Sequence, residues 1–346
     1  MTGARSGADD ETEVTRHPRQ TTAFFGHADA ERTLLDAYRG GRMPHAWLIG
    51  GPMGIGKATL AYRLARFVLA HPDPMAAAVQ AAQSLDLDPA HGTVRRIASQ
   101  AHPDLIALER TENENGVLRT VITVEQTGRT GSFFGSTAGE GGWRVCIVDS
   151  ADELHPAAAN KLLKVLEEPP PRSIFLLVRH APGRLLPTIR SRCRRLDLRA
   201  LAEADIVRAV TAALDGEADD GDVARAAAAA DGSVAAALDL LDGPALAIRE
   251  RVLGLIRQLP AMDTEALHAV GDVVADNAVF AAFIDTVRAW IVSRLHEGPQ
   301  ERGRLNRIAE AWEKVNGAAR DAQEYNLDRR PLVFAVFGML AEAARG

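Results

Sequence analysis

GPMGIGKAT, residues 51–59, has the spacing of a phosphate-binding loop with one letter changed. Such a loop reads G-x-x-x-x-G-K followed by Ser or Thr. The glycines let phosphate oxygens approach the backbone, the lysine reaches the β- and γ-phosphates, and the hydroxyl ligates magnesium. Here Gly51, Gly54, Gly56 and Lys57 supply the cradle, and Ala58 stands where the hydroxyl belongs. The apolar run AWLIG (46–50) comes before the loop and a helical stretch from Lys57 to about Ala70 follows it. Strand, loop and helix in that order gather backbone N–H groups and a positive helix end around one anionic site. An ordinary glycine turn is the plainer alternative, but the full spacing after a strand favours descent from a phosphate loop. A methyl group cannot ligate magnesium, and Thr59 is a poor replacement because one helical step turns its side chain by about 100°.

Working outward, the elements alternate. A helical pattern covers 28–39, VCIVD (145–149) reads as a strand, 156–168 as a helix and SIFLLV (173–178) as another strand. That order predicts an α/β domain with a parallel sheet. The stretch 73–142 is less regular, with Gly and polar residues in GVLRT and GSFFGSTAGEGG, and its loops have no assigned place. At the end of VCIVD, Asp149 is placed to face the metal side of a phosphate site. The next residue, Ser150, offers neither carboxylate nor amide to activate a water. Asp152 and Glu153 come later and read as residues favouring a helix start rather than as a catalytic base.

HPAAANKLLKVLEEPPP (155–171) reads as a helix that starts at Pro156 and stops before three prolines. Lys161 and Lys164 share one of its faces, as solvated lysines or as contacts for phosphate. In RLLPTIRSRCRRLDL (184–198), Arg190, Arg192, Arg194 and Arg195 crowd into six residues. Like charges this close need water or anions around them. Two readings stay open: a solubilising turn, or a guanidinium offered to a neighbouring subunit's triphosphate.

The 346 residues exceed what one core fills, and 47% apolar content suffices to bury two or three domains. Residues 1–21 are polar and read as a disordered lead-in, 22–200 as the α/β domain, 201–243 as a small alanine-rich helical lid and 244–346 as an all-helical domain. No apolar run reaches the roughly 18 residues that cross a bilayer, so no membrane association is expected. The two cysteines, Cys146 and Cys193, suit a reducing cytoplasm and give no four-ligand zinc set; no metal site is expected. A net charge of −6 disfavours wrapping DNA with the whole surface.

Taken together, GRMPHAWLIGGPMGIGKATLAYRLAR (41–66), HPD (102–104), VDSADELHPAAANKLLKVLEEPPP (148–171), the Ser191-Arg192-Cys193 triplet and YNLDRRP (325–331) resemble the clamp-loader branch of the AAA+ family. The resemblance implies an AAA+ α/β domain, a helical lid and a C-terminal helical collar that joins five subunits. The implied partners are motor (gamma/tau) subunits, a delta subunit, and, through the assembly, a sliding clamp and primed DNA. The implied setting is the cytoplasmic replisome.

ATPase members of the family carry Ser or Thr after the loop lysine and Asp-Glu at the acidic strand end, where this chain has Ala58 and Ser150. Their lid arginine is matched here by Ala235, and Arg179 and His180 occupy the strand end where they carry a polar phosphate sensor, with no sensing role assigned to either. The four-cysteine zinc module of many relatives has no counterpart between Ala58 and Arg144. The family residue that survives is Arg192, which the resemblance assigns to a partner's ATP in trans. The implied function is a non-hydrolysing clamp-loader subunit that requires no cofactor, with at most weak ATP or ADP binding at Gly51, Gly54, Gly56 and Lys57. The competing readings are an ATPase using Thr59 or water to complete the metal shell with Asp152 or Glu153 as base, and a DNA-binding module using Lys161, Lys164 and the arginine turn.

Overall fold

The computed structural model describes residues 17–112, 118–135, 138–140, 142–180, 185–241, 244–296, 302–325 and 327–344. The elements run α1 (Ala28–Arg39), β1 (Ala46–Gly50), α2 (Lys57–Ala70), α3 (Ala77–Ala81), α4 (Gly92–Ala98), β2 (Leu105–Glu109), α5 (Val124–Gly135), β3 (Arg144–Asp149), α6 (Pro156–Glu167), β4 (Ser173–Val178), α7 (Pro187–Arg190) and β5 (Arg194–Asp197). Helices alone follow: α8 (Glu203–Ala213), α9 (Asp220–Ala229), α10 (Val234–Leu241), α11 (Ala245–Ile256), α12 (Thr264–Val273), α13 (Asn277–His296), α14 (Arg302–Glu324) and α15 (Arg330–Ala344). The chain divides into two compact units, one ending at Leu238 and the other beginning at Asp239.

In the first unit the strands form one sheet in the order β2-β3-β4-β1-β5, with every pair parallel. Parallel strands covered on both faces read as continuous apolar runs, and all residues of β1 and β4 are buried. Alternation then divides them between two cores. Trp47, Ile49, Val145, Ile147, Leu176 and Val178 pack with α1 and α2, while Leu48, Cys146, Val148, Phe175 and Leu177 pack with Leu162 and Leu166 of α6. This is the expected α/β fold with a parallel sheet. Both cysteines are buried free thiols.

Three segments differ from the sequence reading. Within 73–142 the chain forms α3, α4, β2 and α5. GSFFG belongs to α5 despite its glycines, because Thr127, Thr130 and Phe134 recur at helical spacing on its buried face. Phe134 meets Phe175 of β4 at a ring distance of 4.8 Å, and Arg144 Nη1 donates to the terminal carbonyls of Phe133 and Phe134 at 3.1 and 2.8 Å. Tertiary packing overrides propensity here.

The second difference is β5, an edge strand inside the arginine-dense stretch, where Arg194 stacks over Trp47 at 5.0 Å. The third lies in the lead-in. Residues 1–16 are outside the described residues, and 17–21 are held in place by specific contacts. Buried Arg66 donates to the carbonyls of Pro18, Arg19 and Thr21 at 3.0, 2.9 and 2.8 Å, and His17 Nε2 lies 3.0 Å from Glu109 Oε2. A polar segment without periodicity is held by its backbone carbonyls, which sequence patterning does not register.

Helices are the only regular elements among the described residues of the second unit. Its core includes Val252, Val270, Phe283, Val287, Val315, Val336 and Phe337. From the YNLDRRP motif, Arg329 donates to the carbonyls of Ala275 and Asp276 at 3.0 and 3.2 Å and lies 4.5 Å over the Phe280 ring, joining the end of α12 to the start of α13. Among the described residues no helix is long and apolar enough to cross a membrane.

Candidate functional site

The glycine loop leaves β1 at its C-terminal end and enters α2 at Lys57. Gly51, Gly54 and Gly56 have φ of +141, +74 and +91°, a region that side chains disfavour. At Gly54 the need is also steric, since a Cβ there would lie 2.1 Å from Ser233 Oγ. His27 Nε2 contacts the carbonyl of Ile55 at 2.9 Å, which fixes the loop from the start of α1.

Lys57 is buried, and its Nζ donates to the loop's own carbonyls, Gly51 O at 2.9 Å and Pro52 O. Burial lowers its ammonium to about 8, against the opposing pull of Asp149 and Asp152. Asp149 ends β3 in register with Glu109 at the end of β2. Burial, followed by the Glu109 charge, raises the Asp149 carboxyl to about 6. Glu109 itself is lowered by its hydrogen bond with His17.

Lys57 and Asp149 open onto a cavity of about 340 Å³. Gly54, Ile55, Gly56, Lys57, Ala58 and Thr59 line it from the loop, together with Asp149 and His180. The N-terminal strap, residues 17–25, contributes Gln20, Thr21 and Thr22 beside Phe24 and Phe25, and the segment after β5 contributes Leu201, Ala209, Ala213, Ala235 and Leu238. The loop end carries Lys57, whose ammonium is held on the loop's own carbonyls, together with Asp149 and His180, and the remaining lining is mainly apolar. A glycine loop entering a helix beside an apolar space has the chemistry to take a phosphorylated, flat-ringed ligand. Magnesium is a different matter. Ala58 offers no oxygen at the loop–helix junction, so the residues present do not fit the hydroxyl-ligated ion of a working phosphate loop. Thr59 borders the cavity as well, because the space continues past the loop toward the strap.

The other expected residues are elsewhere. Asp152 and Glu153 lie in a short 3-10 turn, Ala151–Glu153. Asp152 accepts from the backbone N–H of His180 at 3.2 Å, and Glu153 pairs with Arg110 at 3.0 Å. Both carboxylates thus have structural partners. Ser150 is buried beside Asp149. Arg179, at the end of β4, pairs with Asp197 of β5 at 2.6 Å rather than facing the cavity. His180 does line the cavity, and burial lowers its imidazole so that it stays neutral at pH 7. Lys161 and Lys164 are exposed on α6.

Arg192 lies in the turn between α7 and β5 and is not among the described residues that line the cavity. Its Nη1 donates to Thr188 O at 2.9 Å and its Nη2 lies 2.8 Å from Glu167 Oε1. Sequence reasoning did not reach Glu167, Glu109, the strap residues or Ser233. The apolar run LIAL marks β2 and hence Glu109 at its end, but the other contacts join segments far apart in the chain and have no local signal.

A sequence-family model described as "DNA polymerase III, delta subunit" matches residues 26–202, just over half of the chain. The chain belongs to this family. The delta-subunit match contains the glycine loop, Asp149 and Arg192, and leaves out the strap and α10. Among curated proteins, DNA polymerase III subunit delta' of Pseudomonas aeruginosa is 38% identical over 156 residues, 44% of this chain and 43% of that protein. DNA polymerase III subunit tau of Bacillus subtilis is 29% identical over 235 residues, 65% of this chain and 38% of that protein. The chain thus spans less than half the length of these curated relatives. A solved gamma-subunit-related protein of Thermotoga maritima superposes over 90% of this chain and 99% of its own with a TM-score of 0.44 at 16% identity.

Proposed function

We propose that this chain is a non-hydrolysing clamp-loader subunit that helps place a sliding clamp on primed DNA and lends Arg192 to the triphosphate held by a neighbouring motor subunit. The observation that carries the reading is the separation of parts. The chain's own cavity has a phosphate cradle and Lys57 but Ala58 at the metal position, while Arg192 stands on a partly exposed turn outside that cavity. Arginine suits such a task because its planar fork pairs with phosphate oxygens and stabilises charge in the transition state. Membership of the delta-subunit family supports the setting, with gamma/tau motor subunits and a delta subunit as partners in a five-membered ring. The cradle retains shape for weak ATP or ADP binding, and no cofactor is required.

The isolated chain is then expected to show no magnesium-dependent ATP hydrolysis above background. Robust turnover that disappears in Lys57→Ala would overturn the non-hydrolysing reading.

A further inference from the structure

Arg192 is tethered along one side. Its backbone N–H donates to Ile189 O at 3.1 Å, its Nη1 to Thr188 O at 2.9 Å, and its Nη2 meets Glu167 Oε1 at 2.8 Å. The Arg192 side chain is 35% exposed. Glu167 is the final residue of α6, followed by the C-cap Glu168 and by Pro169, which cannot continue the helix. The C-terminal end of a helix carries partial negative charge and disfavours an anion, so two glutamates there work against their own helix. A guanidinium beside the first of them compensates locally.

We infer that Glu167 is a positioning residue for Arg192, holding the planar fork in one orientation so that its remaining N–H groups present a rigid donor set to a partner subunit's phosphate. This inference rests on the trans role proposed above for Arg192. Guanidinium carries five N–H donors in fixed planar geometry; binding Nη1 to Thr188 O and Ser191 Oγ and Nη2 to Glu167 fixes that plane and leaves the Nε–H and a second Nη2 hydrogen to donate elsewhere. An arginine ordered in advance gives up less side-chain freedom when it meets its target. The plain alternative is a surface ion pair of little consequence. The two differ in what removing Glu167 does once Arg192 is gone.

The test is ATP turnover by the assembled complex with motor subunits, clamp and primed DNA, using wild type, Glu167→Ala, Arg192→Ala and the double variant, with equal assembly checked by gel filtration. A positioning role predicts a fall in kcat of about three- to fivefold for Glu167→Ala with KM for ATP unchanged, and no further fall when Glu167→Ala is added to Arg192→Ala. Glu167→Gln, which keeps an acceptor oxygen, restores part of the rate. Equal losses in both backgrounds, no loss, or faster turnover from Glu167→Ala would overturn the positioning role while leaving the Arg192 reading intact. An unchanged rate for Arg192→Ala itself would overturn both.

Discussion

The carbonyl oxygen of Gly54 accepts the backbone N–H of Val234 at 3.0 Å, and that of Ala235 at 3.2 Å. The first turn of α10 has no partners for these donors within its own helix. The glycine loop supplies one from 180 residues away in the chain, and a side chain at residue 54 would block the approach at Ser233 and Ala235. The start of α10 is thereby fastened to the loop by protein groups alone.

Gly54→Ala should break this fastening, through both the positive φ and the lost space. The expected cost is about 1–3 kcal/mol, felt locally. Hydrogen exchange reads it directly: the amides of Val234 and Ala235 should exchange faster, while Leu48 and Leu177 in the sheet keep their protection. Unchanged protection at Val234 would contradict the contact's role.

The Asp149 carboxyl, raised from 3.8 to about 6, makes a definite pH prediction. The folded state holds this proton more tightly than the unfolded chain. Its contribution to stability is therefore complete below about pH 4 and is lost as pH rises through about 6. At pH 7.5 the ionised group costs on the order of 3 kcal/mol, which Asp149→Asn should recover. Urea midpoints measured from pH 7.5 down to 4.5 should show the variant's advantage shrinking, and a constant difference would contradict the assignment.

Arg66 holds the strap that forms one wall of the cavity. Arg66→Met removes donors to three carbonyls and should destabilise the first unit by about 2–4 kcal/mol. Limited proteolysis should then cut within residues 17–25 of the variant before the rest of the domain opens. A variant as resistant as wild type, with an unchanged midpoint, would show that the strap is held otherwise.

The sheet's inner strands were legible because strands buried on both faces are written as unbroken apolar runs, as in AWLIG and SIFLLV. The loop was legible because phosphate chemistry ties glycine and lysine to fixed spacing. Neither rule applied to β5, whose residues 194, 195 and 197 are exposed at the sheet edge, nor to α5, which buries one face through Thr127, Thr130 and Phe134 while glycines occupy other positions. The site was half legible for the same reason. Lys57 and Asp149 follow from local motifs, but the strap, the Gly54–Val234 contact and the Glu167–Arg192 pair exist only once distant segments meet.

The central claim is that catalysis assisted by this chain occurs at a neighbour's nucleotide. The most direct measurement is the steady-state ATP turnover of the reconstituted complex on primed DNA with wild type and with Arg192→Ala, at equal assembly. The account predicts a rate loss of at least tenfold with the complex intact, an effect of about 1.4 kcal/mol or more on the barrier. An intact complex turning over at the wild-type rate would contradict it.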